Sequence, residues 1–348
     1  RELEIAATLP SEEASQAPNL FPVAGRAMLG IAGAYVLRAV EQTSAIPGAI
    51  AAVAGILYAF LWLIWAARVR SGPRITSSIY AGTSALILAP MLWELTLRFN
   101  VLTSTAAAAA ICGFALTSLV FAAFARRQSR DLKPVVRVAY MAAAALALAL
   151  AVATHVFLPF VAALLFLAAV CEFAPGCDRT PEVAAIVALA ADAAVWLLIF
   201  NYFAGQAAQE GYPPLSRAAL LAPGIVIFVL FAASTGVKTM LRGQKITIFG
   251  AVQAMLAFLL AAVSLANINP PTGARILGAV CLALSAVCYV AVFSVFARAP
   301  EPRNRAIFSA WAAMLLLAGG FLGLPSLLLI LLFGAAAVGA VVLSRQDR

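Results

Sequence analysis

Charge is scarce in this chain: 11% of its 348 residues are Asp, Glu, Lys or Arg, where a soluble domain carries about 25%. Histidine is scarcer still, because His155 is the only one. One histidine excludes a bis-histidine haem and any histidine-rich metal centre. The five cysteines (Cys112, Cys171, Cys177, Cys281 and Cys288) lack zinc-type spacing and are odd in number. Four lie in or beside apolar segments, where Cys behaves as a small hydrophobe. Cys177 falls in a connection read as cytoplasmic, where disulfides are disfavoured. A Walker-type Gly-Lys-Ser/Thr loop, His-Glu-x-x-His and Gly-x-Ser-x-Gly are also absent. No catalytic residue, cofactor site or metal site is expected.

What the chain has in abundance is apolar surface: 64% hydrophobic residues and a mean hydropathy of +1.02. One soluble core of this length could not hide so much of it. Lipid tolerates it, since apolar side chains can face hydrocarbon at no cost. The expectation is an all-α, polytopic integral membrane protein. The net charge of +9 does not point to nucleic acid, because the cations sit in short clusters between apolar runs rather than on one soluble face.

A spanning helix needs about 20 mostly apolar residues. Such runs lie at 21–41, 47–67, 77–96, 103–124, 136–154 and 157–174. They resume at 182–204, 218–237, 247–266, 275–296, 306–323 and 325–343. About twelve transmembrane helices follow, in halves 21–174 and 182–343 separated by a break with Pro175, Gly176 and Pro181. At His155–Pro159 and at Gly323–Pro325, a tight turn and one long broken helix read alike. Residues 1–20, with Glu2, Glu4, Glu12 and Glu13, read as a flexible polar tail. The start at Arg1 suggests a fragment or processed form, and there is no signal-peptide pattern.

Alternating the runs puts 19 of the 23 Lys and Arg residues on one side and leaves Arg38, Arg98, Arg217 and Arg275 on the other. That asymmetry sets both termini in the cytoplasm. The halves also echo each other. Gly72-Pro73-Arg74-Ile75-Thr76 matches Gly243-Gln244-Lys245-Ile246-Thr247, and Phe121, Phe124, Ala125 and Arg126 match Phe293, Phe296, Ala297 and Arg298. The echo suggests two parallel six-helix repeats, set against the chance matching of Ala/Leu/Phe-rich helices that end in Arg.

A charge at the bilayer centre costs a few kcal/mol on insertion scales, so ionisable residues inside spans are the site candidates. Asp192 lies near the middle of its run, four residues before Trp196. It reads either as a proton, cation or substrate site, or as a protonated or hydrogen-bonded packing residue. Arg38 with Glu41, and Glu94 with Arg98, have spacings that let opposite charges meet on one helix face. They could line an outward vestibule or snorkel to water. His155 reads as a turn residue or a pH-responsive one, and Asn201, Gln253, Asn267 and Asn269 as interhelical hydrogen-bonding groups.

Gly25-Arg26-Ala27-Met28-Leu29-Gly30-Ile31-Ala32-Gly33-Ala34-Tyr35-Val36-Leu37-Arg38 runs into a polar turn and Ile46-Pro47. With Leu92-Trp93-Glu94-Leu95-Thr96-Leu97-Arg98-Phe99, and Ala153-Thr154-His155 before Leu158-Pro159-Phe160, this resembles an uncharacterised bacterial family of multi-pass membrane proteins, domain of unknown function 2339. The resemblance implies a bacterial inner-membrane protein, often with a polar or coiled-coil segment before the first helix. The acidic residues 1–20 would be its remnant. The longest members have more helices than this chain. The family implies no activity and no functional residues.

Three functions remain open. A secondary-transporter-like carrier of a small molecule or ion fits the even helix count, short connections and Asp192. A structural or assembly protein of the envelope fits the 22 glycines and many alanines, which allow close helix packing. An enzyme on a lipid-linked substrate fits less well, because the longest outer connection has about a dozen residues. Membrane lipids are the expected partners in every case.

Overall fold

With no water in the hydrocarbon core, each backbone N–H must be satisfied within its own segment, so Ala-, Leu- and Val-rich runs become helices. The computed structural model describes residues 20–42, 48–69, 74–127, 132–174, 181–203, 212–268, 270–296, 302–325 and scattered positions from 327 to 338. No strand occurs among them. The tail 1–19, the side chain of Glu41, Cys177, Asn269 and most of the 325–343 run lie outside the described residues.

The helices are α1 (Leu20–Gln42), α2 (Gly48–Arg68), α3 (Arg74–Trp93), α4 (Ser104–Arg127), α5 (Lys133–Ala153) and α6 (Phe157–Phe173). They are followed by α7 (Pro181–Phe203), α8 (Arg217–Gly236), α9 (Ile248–Ile268), α10 (Pro270–Ser294) and α11 (Pro302–Gly323). Among the described residues, nine helices are long and apolar enough to cross a membrane, and Phe21–Val36 and Phe157–Phe173 are shorter apolar helices. The chain is a polytopic all-helical membrane protein. At the α-helical rise, the 17 residues of α6 reach roughly 25 Å, short of the roughly 30 Å hydrocarbon core.

Both ambiguous junctions are breaks. Thr154 caps α5, its hydroxyl donating to the Leu150 carbonyl at 2.7 Å, and His155 turns the chain with φ 58° before α6 begins. At the other junction α11 ends at Gly323, residues 324 and 325 are not helical, and the residues described from 327 to 331 are helical again.

The chain divides into two compact units, Arg1–Ala194 and Val195–Arg348, so that the division falls inside α7. In the first unit α5 is the central helix, packed on α2, α3, α4 and α6. Its sequence explains why. Ala139, Ala143, Ala147 and Ala151 recur every fourth residue and are buried, and such a small-residue stripe lets neighbouring backbones approach. Tyr140, Phe114 and Phe160 fill the space around it. Tyr58 Oη on α2 donates to the Gly30 carbonyl on α1 at 3.1 Å. Ser84 Oγ on α3 donates to the Ala59 carbonyl on α2 at 2.6 Å.

In the second unit α8 packs on α9, α9 on α10 and α10 on α11. The last pair meets backbone to backbone. A Cβ on Gly278 would fall 2.7 Å from the Gly323 nitrogen, and one on Gly319 would fall 2.9 Å from the Gly278 carbonyl oxygen. Gly319 and Gly323 form a Gly-x-x-x-Gly face of the kind that permits such an approach. Ser285 Oγ adds a buried bond to the Ala312 carbonyl at 2.8 Å.

Candidate functional site

The site begins with how α3 ends. Pro90 lies inside the helix and supplies no N–H to the ladder. Beyond it the backbone widens into a π turn, Glu94–Arg98. Phe99 N–H donates to the Glu94 carbonyl at 2.9 Å, and the N–H groups of Val101 and Leu102 both donate to Leu95. Asn100, with φ 52°, stops the helix, a left-handed position that asparagine tolerates. π turns of this kind are frequent at functional sites.

This ending presents Glu94 to the neighbouring helix, and its carboxylate forms an ion pair with the guanidinium of Arg38 on α1. The Arg38 side chain is 31% exposed and that of Glu94 is 16% exposed. The Nε of Arg38 is buried without a hydrogen bond among the described residues. Ala52, Met91 and Leu95 pack together beneath the turn, with Leu102 against them. The pair sets the C-terminal ends of α1 and α3 side by side, which requires α2 to run the opposite way between them.

Arg98 does not pair with Glu94. Its guanidinium lies 5.4 Å from the centroid of the Phe99 ring, a cation–π distance. Spacing alone put Glu94 with Arg98, but the interhelix partner takes the carboxylate instead. Asp192 is on α7, 5% exposed, among the buried Ala188, Ala191 and Val195. The structure thus joins Arg38 to Glu94 and places Asp192 on a separate helix.

Two arrangements escaped sequence reasoning. Arg137, in the first turns of α5, pairs with Glu182 at the start of α7. Both side chains are at least half exposed, so the bond contributes little. In the second unit Asn304, 2% exposed, grips the connection between α8 and α9. Its Oδ1 accepts from Ile246 N–H at 2.9 Å, and its Nδ2 donates to the Gln244 carbonyl at 2.9 Å. α8 ends as α3 does, in a π turn (Val237–Leu241) and a residue of positive φ, here Gly243 at 61°. The only sequence signal for the clamp was an asparagine one turn before the buried Phe308.

Cys112, Cys171, Cys281 and Cys288 are free thiols. Among the described residues no three His, Cys, Asp or Glu side chains are grouped to hold a metal ion. No family model, curated protein or solved structure matches the chain.

Proposed function

We propose that this protein is a secondary-transporter-like carrier that moves a small solute or ion across a bacterial inner membrane, the location implied by the resemblance to domain of unknown function 2339. In this reading it has twelve spans in two parallel six-helix repeats and both termini in the cytoplasm. The observation that carries the proposal is the Arg38–Glu94 pair, seated on a π turn at the end of an apolar helix. Ionisable pairs in such places mark substrate and ion pathways. In the cycle, the pair opens to admit a charged solute and closes once the solute has left, while buried Asp192 takes up and releases the coupling proton or cation. The packing of α8 on α9, as α2 packs on α3, supports the repeat.

The test is charge movement in proteoliposomes, recorded on a solid-supported membrane while pools of sugars, amino acids and organic acids are applied. The wild type gives a solute-dependent current. Asp192→Asn abolishes it at unchanged yield and unchanged size-exclusion profile. Silence of the wild type with every pool, or an Asp192→Asn effect confined to yield, overturns the proposal. Reporter fusions in the Arg126–Arg137 and Lys238–Lys245 connections test the topology, which requires both on the cytoplasmic side.

The same ion pair favours a second reading, a structural or assembly protein in which the pair only fastens α1 to α3. The exchanged pair, Arg38→Glu with Glu94→Arg, separates the two. A fastener works in either polarity, whereas a solute site does not.

A further inference from the structure

The second unit contains a partly open cavity of about 450 Å³ between the α8–α9 pair and the α10–α11 pair. Phe228 of α8, Met255 and Phe258 of α9, Val287 of α10 and Trp311 of α11 are among its walls. Thr235, Cys288 and Trp311 supply the only polar groups on its lining side chains. A buried water needs two to four polar partners, and apolar cavities of this kind stay dry. Left empty, the walls would forfeit their dispersion contacts on one side. The occupant is therefore apolar. From Phe308 to Ala318 the lining climbs roughly 15 Å along α11 at the helical rise, half of the roughly 30 Å hydrocarbon core. That is the depth of one leaflet.

Charge chooses among leaflet-deep occupants. The cavity is lined at one end by Met240, in the π turn that also carries Lys238. Arg242 and Lys245 follow in the connection held by Asn304. On α11, Arg305 lies one turn before the lining residue Phe308 and is exposed. The sequence from 211 to 300 contains no Asp or Glu. The end of the cavity at Met240 thus lies close along the chain to these cations, with Glu301 the nearest acid in sequence to Arg305. Cations near a membrane surface attract anionic lipid by about 1 kcal/mol each.

We propose that this cavity is a binding site for one acyl chain of an anionic phospholipid, whose phosphate headgroup rests on Lys238, Lys245 and Arg305. The site lies wholly in the second unit and stands whether or not the protein is a carrier.

Trp311 serves as the reporter. The full chain is reconstituted in phosphatidylcholine nanodiscs containing a minor fraction of brominated phosphatidylglycerol or, in parallel, of brominated phosphatidylcholine. Bromine quenches tryptophan on contact, and the difference between wild type and Trp311→Phe isolates the signal from the cavity. The expected result is several-fold stronger quenching of Trp311 by the brominated phosphatidylglycerol. Ala254→Phe, which fills the cavity, removes the quenching. Lys238→Gln with Lys245→Gln equalises the two lipids. Ala232→Leu is a second filling variant should Ala254→Phe fail to give folded protein by size exclusion and circular dichroism. Equal quenching of wild-type Trp311 by both lipids overturns the proposal, because the cavity then takes bulk lipid without selection. Quenching that persists in a folded, filled variant overturns it as well.

Discussion

The carboxylate of Glu94 reaches across to the guanidinium of Arg38 rather than along its own helix to Arg98. The bond therefore joins two helices separated in sequence by all of α2, and its strength reports on how α1, α2 and α3 are assembled. Glu94→Gln leaves a partly buried guanidinium without its countercharge. The coupling in a double-mutant cycle with Arg38→Gln is expected at about 1–2 kcal/mol, between exposed and fully buried pairs. Thermal unfolding of the detergent-purified protein measures it, and additive single effects would show that the pair is idle.

Asn304 replaces two backbone partners at once. Asn304→Ala strands the Ile246 N–H and the Gln244 carbonyl, a loss of about 2–4 kcal/mol if neither finds water. The freed connection then becomes a better protease substrate. Trypsin should cut after Arg242 and Lys245 markedly faster in the variant than in the wild type, with cleavage after Arg126 and Arg127 unchanged.

The meeting of α10 and α11 has no room for a methyl group. Gly278→Ala drives its Cβ into the Gly323 backbone, which cannot swing aside as a side chain would, so a loss of about 1–3 kcal/mol is expected. Gly82 is the control: a Cβ there meets nothing within 4 Å. Gly82→Ala in the interior of α3 should be neutral or stabilising by up to about 1 kcal/mol, because Ala restricts the unfolded chain. A melting temperature lowered by Gly278→Ala and not by Gly82→Ala confirms the assignment.

Ser84 and Ser285 each donate a buried hydroxyl to a carbonyl of the adjacent helix. Substitution by alanine should cost about 0.5–1.5 kcal/mol at either position. Being in separate units, the two losses should add in the double variant. A combined loss larger than the sum, read from the same unfolding curves, would mean that the two positions are energetically coupled.

The sequence announces what depends on composition and spacing. Runs such as 136–154 and 182–204 are helical because lipid leaves the backbone no alternative, and α5 and α7 occupy them within a few residues. The four-residue alanine stripe that makes α5 central is legible too, once one asks which helix can be approached most closely. The π turn at Glu94 is not, because it arises from Pro90, the Asn100 stop and the packing of Leu95 and Leu102 acting together. The Arg38–Glu94 pair is hidden for a related reason: spacing ranks partners along one helix, and only the fold ranks partners between helices. Asn304 is not legible either, because an asparagine near a helix start has the pattern of a local cap, while its partners stand 58 and 60 residues away.

That distance also governs timing during synthesis. The amide of Ile246 emerges from the ribosome 58 residues ahead of the side chain that accepts its hydrogen bond. Until Asn304 arrives, only water can serve the Gln244 carbonyl and the Ile246 N–H, so this basic connection takes its final shape after α9 and α10 have already been made. A chain truncated before residue 304 would lose α11 as well as the latch, leaving this corner open.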